Sequence, residues 1–470
     1  MSTKGVRPFA SAPAVALAVL SACIDAPATG PARATDLTPP NHPSLAVDPV
    51  EGTTVVDLGT LPGFDNHSAW DINNSGWVVG NAEAPGTTRG FLWKPGVGMS
   101  PLSPLPGRTS STAFGINTAG DIAGYSSPDS RATLWRGGVP TDLGTLNPSS
   151  PSVLTSEAHD VNDAGVVVGF AETGFSAPAP RRLAFRWTQA TGMVALPVPP
   201  NTVVSDADAI NSAGQIVGYI QPNDGPPRAA LWTNGTFVDL GVLPGAPNSR
   251  AWDINASATV VGVSPDEFPA IRAFQWTQSG GITALAALAG SPPGGIPSQA
   301  QGINDAGDVV GGAAVSSTVV PAVLWRGQSA YQLPRLTNPS TGREIDVARA
   351  INAVGQIVGS AEPATGPSRA VLWTLPTNRP PVANAGGPYE GRKKKEAIQF
   401  DGSGSSDPDA DALTYLWSFG DDSPTVTGVS PTHVYERMGT YTVTLTVTDT
   451  RGSSATATAT VEILPPGKLR

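Results

Sequence analysis

Five arginines in this chain stand four residues ahead of a tryptophan. Arg89, Arg131, Arg228, Arg272 and Arg369 precede Trp93, Trp135, Trp232, Trp276 and Trp373. A guanidinium offers a planar fork of donors that matches a carboxylate bidentately. A set of them could therefore recognise an anionic polymer such as a polyuronate. The alternative is that each pairs with an acid of its own loop: Glu83, Asp129, Asp224, Asp266 or Glu267, and Glu362. Exposed pairs of that kind contribute at most about 1 kcal/mol each. Two histidines lie beside carboxylates, His67 with Asp65 in FDNHSAWD and His159 with Glu157 in SEAHD. Those are the residue types of acid–base catalysis. The sequence contains no Ser-His-Asp elbow, phosphate loop or HExxH. Four scattered histidines and one cysteine assemble no zinc constellation. A net charge of -10, with no basic cluster beyond 392–395, argues against nucleic acid as a partner.

The single cysteine is informative by position. Lys4 and Arg7 precede the short apolar run AVALAVL, and Ser21-Ala22-Cys23 follows. Basic segment, apolar segment and small residues describe a secretory signal over residues 1–22. The run is too short to span a bilayer. LSAC at 20–23 resembles the bacterial lipobox, which implies acylation of Cys23 and anchorage in a membrane. Residue 24 is Ile, not Asp, so the resemblance points to the outer membrane or cell surface. Residues 23–52 are rich in Pro, Ala and Thr and read as a lipid-anchored tether.

What positions the arginines and histidines is a repeat. DINNSGWVVG at 71–80 recurs as GINTAGDIAG, DVNDAGVVVG, AINSAGQIVG, DINASATVVG, GINDAGDVVG and AINAVGQIVG. Its Asn falls at 73, 117, 162, 211, 255, 304 and 352, at intervals of 44 to 49 residues. Periods in that range indicate a solenoid or a propeller. Asn-x-x-Gly between apolar runs reads as a tight hairpin. A third strand ends at the Trp, with Trp187 and Trp325 completing the set of seven, and a fourth resembles VVDLGTL. Four short antiparallel strands per repeat make one propeller blade. The fourth strand is missing after Trp373 but present at 55–61, ahead of the first repeat. A closed ring needs that phase shift, because the first strand then completes the last blade and removes two open edges. The expected fold is all-β: residues 53–375 form a seven-bladed β-propeller of four-stranded blades, closed by the N-terminal strand. The Gly of V-V-G permits close packing near the axis, and the seven tryptophans pack between blades. Repeat five carries Ala258 where the turn glycine belongs, which implies strain or another turn type.

These units resemble the HAF repeat, a probable extracellular repeat family of bacteria marked by DLGTLGG, IN..GQVVG and HAFLW. The family's His-Ala-Phe position is held here by the five arginines, with Leu183 and Pro321 in the other two repeats. The resemblance implies no enzymatic activity.

Residues 376–470 differ in character. The run TYTVTLTVTD alternates with period two, placing Tyr441, Val443, Leu445 and Val447 on one face. With NRPPVANAG, FDGSGSSDPDAD, YLWSFGDD and PTHVYERMGTYTVTLTVTD, the segment resembles the PKD domain. The resemblance implies an Ig-like β-sandwich with Trp417, Phe419, Tyr435 and Tyr441 in its core and His433 packed structurally. Asp422 replaces the last Gly of the family's W-x-F-G-D-G. Some PKD-like domains bind Ca²⁺ through Asn and Asp oxygens, and the counterparts here are Asn378, Asp407, Asp409 and Asp449.

These observations lead to the expectation of a non-catalytic bacterial cell-surface protein. Its propeller and PKD module would bind a glycan or another surface protein. The alternatives are a propeller-type polysaccharide lyase or glycosidase, and a purely structural spacer. An enzyme should break the repeat symmetry with an acid and a base clustered near one end of the axis. A binding face is expected on the variable loops that join second to third strands and enter each repeat, where the five arginines lie.

Overall fold

The computed structural model describes residues 50, 52–147, 149, 154–174, 181–265, 271–289, 297–316, 318–327, 329–336, 344–362, 366–392, 397–409 and 411–465. The signal segment, Cys23 and nearly all of the tether lie outside the described residues. The chain divides into two compact units, with the boundary between Leu375 and Pro376.

In the first unit each repeat folds as an antiparallel sheet. In repeat one its strands are Asn66–Ile72, Val78–Ala84, Thr87–Lys94 and Gly98–Pro101, hydrogen-bonded in that order. Repeat seven takes its fourth strand from the N-terminal side: Thr54–Asp57 pairs antiparallel with Arg369–Thr374, Val55 opposite Trp373. Each first strand packs against the first strands of its two neighbours, and Glu344–Ile351 packs against Asn66–Ile72.

The repeated Asn holds both the turn and its neighbour. The Asn73 side-chain oxygen accepts the amides of Ser75 and Trp77, each at 3.0 Å, an Asx-type turn that closes the hairpin. Its amide nitrogen donates to the Asn117 carbonyl at 3.0 Å. Asn117 donates in turn to Asn162, Asn162 to Asn211, Asn211 to Asn255, Asn255 to Asn304 and Asn304 to Asn352. Asn352 donates to Asn73 at 3.1 Å, which returns the chain of bonds to its start. All seven are buried, where each bond is worth about 1 kcal/mol net and an orphaned donor would cost more. Ala258 keeps the turn of its repeat by adopting a φ of 60°, so the strain expected there is taken up in the backbone.

The apolar core lies between adjacent sheets. One cluster joins Leu58, Ala69, Ile72 and Phe91 to Val358, Ala370 and Leu372, and so spans repeats one and seven. The tryptophan indoles bridge the same interfaces. Trp135, Trp232, Trp325 and Trp373 donate to carbonyls just beyond the fourth strand of the preceding repeat, at 2.7–2.8 Å.

In the second unit one sheet has the strand order Tyr389–Arg392, Ser454–Leu464, Gly439–Thr448, Thr414–Ser418, Val426–Thr427. A two-stranded sheet pairs Ile398–Gln399 with Thr432–His433. Trp417, Phe419, Tyr435, Val443, Leu445 and Val447 form its core, and Tyr441 packs at the margin. Asp422 takes a φ of 62°, so the turn keeps the left-handed conformation of the glycine it replaces.

Candidate functional site

Every first strand of the ring unit carries a bulge at one position. The register shifts between Ala69 and Asp71, Ala113 and Gly115, Ala158 and Asp160, Ala207 and Ala209, Ala251 and Asp253, Ala300 and Gly302, Ala348 and Ala350. A bulge re-aims the extra side chain. The V-V-G glycine makes it possible. A Cβ on Gly218 would lie 2.0 Å from the Asp206 carbonyl oxygen, and Gly80, Gly124 and Gly169 face the equivalent carbonyl at the same distance. The glycine thus admits the bulged backbone, a more specific reason than crowding at an axis.

The residue before the bulge is a fully buried Ala in all seven repeats. The bulged residues themselves are Trp70, Phe114, His159, Asp208, Trp252, Gln301 and Arg349. They converge on a cavity of about 150 Å³. Here, within strands and not loops, the repeat symmetry is broken.

The residue after the bulge forms the cavity floor. Asp71, Asp160 and Asp253 occupy alternate repeats, with small residues between them. Each gives one carboxylate oxygen to the next amide in its own strand and the other to an amide of the following repeat, Ile116, Ile210 or Ile303, at 2.7–2.8 Å. Burial lifts Asp71 and Asp253 to about 7, with Asp160 raised as well.

One wall is ionic. His159 Nδ1 lies 3.1 Å from the Ala207 carbonyl, an acceptor, so that nitrogen carries a proton. Asp206 and Asp208 approach the same nitrogen at 3.4 and 3.8 Å, and Glu157 lies 4.0 Å from Nε2. Burial lowers the imidazole, but Asp206, Glu157 and Asp208 outweigh it and bring His159 to about 9. Arg182 holds the far oxygen of Asp206 at 3.0 Å and also bonds the Tyr219 hydroxyl. Burial, then the Asp206 charge, lift Asp208 to about 7. Its Oδ2 is buried without a hydrogen-bond partner. His159, Asp206 and Asp208 bring ligand atoms close enough for a metal ion. However, Nδ1 is already bonded, and the acids are answered by His159, Arg182 and Arg250. The set fits an internal salt network better than a divalent cation.

The cavity also contains a second cation. Arg349 stacks over Trp70, 3.6 Å from the ring centre, and is 4% exposed. Its Nε and Nη1 are buried without partners. Burial pulls the guanidinium down to about 10, opposed only by Glu362 among the described residues.

The five arginines singled out in the sequence lie elsewhere, at the start of third strands. Three pair with the aspartate of their own D-L-G strand: Arg131 with Asp142 at 3.1 Å, Arg228 with Asp239 at 3.2 Å, and Arg369 with Asp57 at 3.8 Å. The expected loop acids are engaged otherwise: Asp129 by Arg108, Asp224 by Asn201, Glu83 by Asn81. Asp266 and Glu267 lie outside the described residues. The reason is registry, because third and fourth strands are hydrogen-bonded neighbours. The aspartate's other oxygen caps the Gly two residues on, at 2.8 Å. Where the fourth strand offers Pro101 or Ala284, Arg89 and Arg272 donate to the Thr109 and Pro244 carbonyls. His67 is also structural. It is fully buried, accepts the Leu61 amide at 2.9 Å, and burial lowers its pKa.

In the second unit the acidic group gathers differently from expectation. Asp407, Asp411 and Asp449 come together. Asp409 is drawn aside by the Arg379 amide and guanidinium at 2.6 and 2.7 Å. Asn378 donates to Asp449 at 2.9 Å, leaving Asn378 Oδ1 and Asp407 Oδ2 buried without partners. Arg451 lies 3.0 Å from Asp411. His433 is packed as expected, stacked on Phe419 and bonded to Asp421 at 2.8 Å.

Residues 378–463 match the PKD domain family. Collagenase ColQ1 of Bacillus cereus (strain Q1) is 52% identical over 66 residues, 14% of this chain and 7% of the collagenase. Collagenase ColA of Bacillus cereus is 45% identical over 62 residues, 13% and 6% of the two chains. The chain thus spans less than a tenth of the length of these relatives. The PKD1 domain of Vibrio anguillarum Epp is 34% identical, covering 19% of this chain and all but 1% of its own, with a TM-score of 0.17. The chain has a fainter likeness to a streptogramin B lyase structure, at 9% identity over 69% of this chain and 98% of that one, with a TM-score of 0.44. The regular elements of the described residues are all β-strands, and residues 378–463 form a PKD domain. Among the described residues no helix is long and apolar enough to cross a membrane.

Proposed function

We propose that the first unit is a closed seven-bladed β-propeller of HAF-type repeats. In this reading it binds a saccharide, without chemistry, in the cavity made by the seven bulged residues. The observation that carries the proposal is that the repeats keep their Ala, Asn and Gly yet differ at the one bulged position. Residues that recur with the period serve the scaffold. The residues that depart from it serve something else. Trp70, Phe114 and Trp252 supply ring faces, and Gln301, Asp208 and Arg349 supply polar edges, the combination expected of a small concave ligand site.

Catalysis is the second reading, since an acid and a base do converge at the axis. Binding is favoured by the state of those groups. His159 near 9 is protonated at neutral pH, which excludes it as a base, and its Nδ1 proton is already held by the Ala207 carbonyl between Asp206 and Asp208. The three floor aspartates have both oxygens committed to amides. Among the described residues Asp208 is the one remaining carboxyl of the cavity lining, and its unpartnered Oδ2 is buried, whereas glycoside hydrolysis generally needs two working carboxyls.

The PKD domain and the Cys23 segment support export, with attachment by acylated Cys23 at the bacterial outer membrane or cell surface. Asp407, Asp411, Asp449 and Asn378 are proposed to hold Ca²⁺, a cation suited to hard oxygen donors. The test of the main reading is a glycan array probed with the whole chain and with Trp252→Ala. Retention on a defined saccharide that is lost in the variant supports it. Retention that is unchanged in the variant, or hydrolysis of the bound glycan, refutes it.

A further inference from the structure

We infer that the axial cavity is built for a carboxylate-bearing sugar, a uronic acid, whose carboxylate docks on Arg349. This rests on the saccharide reading above and names the class of sugar. Arg349 is nearly buried, yet two of its donor nitrogens have no partner. A buried polar group without a partner costs about 1–3 kcal/mol, and more when charged. The fold does not answer the charge in the way it answers the other buried arginine of the region. Arg182 bonds Asp206 and Tyr219 and lies over Phe170. Arg349 has the Trp70 face and the charge of Glu362, with no hydrogen bond to Nε or Nη1. Of the half-buried arginines of the third strands, Arg131, Arg228 and Arg369 are paired to their own strand aspartates and Arg89 and Arg272 donate to carbonyls, so that each has a hydrogen-bonded or ionic partner that Arg349 lacks. A ligand carboxylate would meet the guanidinium through Nη2, the nitrogen of the three that is not sealed in the wall, and would answer the charge where it opens on the cavity.

The rest of the cavity suits the rest of such a sugar. Trp252 and Phe114 line the cavity beside Trp70 and offer apolar faces to a pyranose ring. Asp208 and Gln301, which line the same cavity, supply polar groups for hydroxyls. The volume of about 150 Å³ admits a single ring, so the site reads a chain end or a monosaccharide.

The experiment is calorimetry of the whole chain with sodium glucuronate and with glucose, on wild type, Arg349→Gln and Trp252→Ala, alongside thermal unfolding of each. Wild type is expected to bind glucuronate about 30-fold more tightly than glucose, the equivalent of one charge-assisted hydrogen bond. Arg349→Gln is expected to bind both sugars equally, at the wild-type glucose level. It is also expected to unfold about 1–3 °C higher, because an unanswered buried charge has been removed. Equal binding of the two sugars by wild type, or discrimination that survives Arg349→Gln, overturns the carboxylate inference and leaves the saccharide site standing. A lower unfolding midpoint for Arg349→Gln assigns the arginine to the scaffold and also overturns it. Binding unaffected by Trp252→Ala, or no binding of either sugar at millimolar concentration, overturns the site itself.

Discussion

The acids that line the cavity of the ring unit are pushed toward neutrality, and Asp401, Asp409 and Asp421 of the PKD unit are pushed the other way. Asp71, Asp208 and Asp253 line the axial cavity, where burial lifts each to about 7. In the PKD unit Ser403 holds Asp401 below the usual carboxylate range. Asp409 and Asp421 also lie low, because bonds from Arg379, and from Ser423 and His433, outweigh their burial. Acids that lower a fold's stability when ionised are kept where they do something else. Acids that cap turns or answer an arginine are kept because the fold needs their charge. The difference is one of burial against hydrogen bonding: Asp71 and Asp253 accept two amides each and are still lifted, whereas Asp409 and Asp421 are held low by an arginine or by a serine and a histidine.

The largest expected effect tests whether the bulges underlie the ring unit. Gly218→Ala would set a Cβ 2.0 Å from the Asp206 carbonyl. It is expected to cost more than about 3 kcal/mol, lowering the ring unit's calorimetric transition and leaving the PKD transition in place. An unchanged first transition would mean the bulge is not required.

Next in size is pH, where the two units should diverge. A carboxyl whose folded pKa is raised makes the folded state bind more protons than the unfolded one. Stability then falls as pH rises from about 4 to about 7. His159, raised to about 9, contributes stability that is complete below about 6.5 and is lost as pH rises through 9. Both act in the same direction, and His67, lowered by burial, opposes them only up to about its ordinary value of 6.5, so the ring unit should melt progressively lower from about pH 6.5 to pH 9. The lowered aspartates of the PKD unit contribute stability above about pH 4 that is lost only in acid. Scanning calorimetry at a series of pH values checks this, and parallel shifts of the two transitions would contradict it.

Calcium should act on the PKD unit alone. At ten times its dissociation constant it should add about 1.4 kcal/mol, seen as a rise in the second transition that Asp449→Asn removes. A rise in the first transition instead would place the cation in the ring. The smallest effect is a gain. Ala258→Gly relieves the φ of 60° in the fifth turn and should stabilise the ring unit by about 1 kcal/mol.

Much of the scaffold was legible because periodic residues announce it. Asn-x-x-Gly marks the hairpins, and the alternation of 440–449 marks the PKD strand. The site was harder to read, because variability was sought in the loops while the variable column sits inside a strand. Trp, Phe, His, Asp, Trp, Gln and Arg, three residues ahead of each Asn, stand in the sequence for anyone aligning the repeats. What no alignment of repeats supplies is the bulge, which turns that column inward. His159 was noticed beside Glu157, but its partners Asp206 and Asp208 come from the next repeat. The five arginines drew attention because they recur, and recurrence is the mark of scaffold. Their true partners, the D-L-G aspartates, are set by strand registry and not by nearness in sequence.

The most direct measurement is a crystal structure of the whole chain with a saccharide retained on the array. The account predicts a sugar ring between Trp70 and Trp252, with a polar edge toward Arg349 and Asp208. A sugar seated on the outer loops or on the PKD unit, with the axial cavity holding only water, would contradict it.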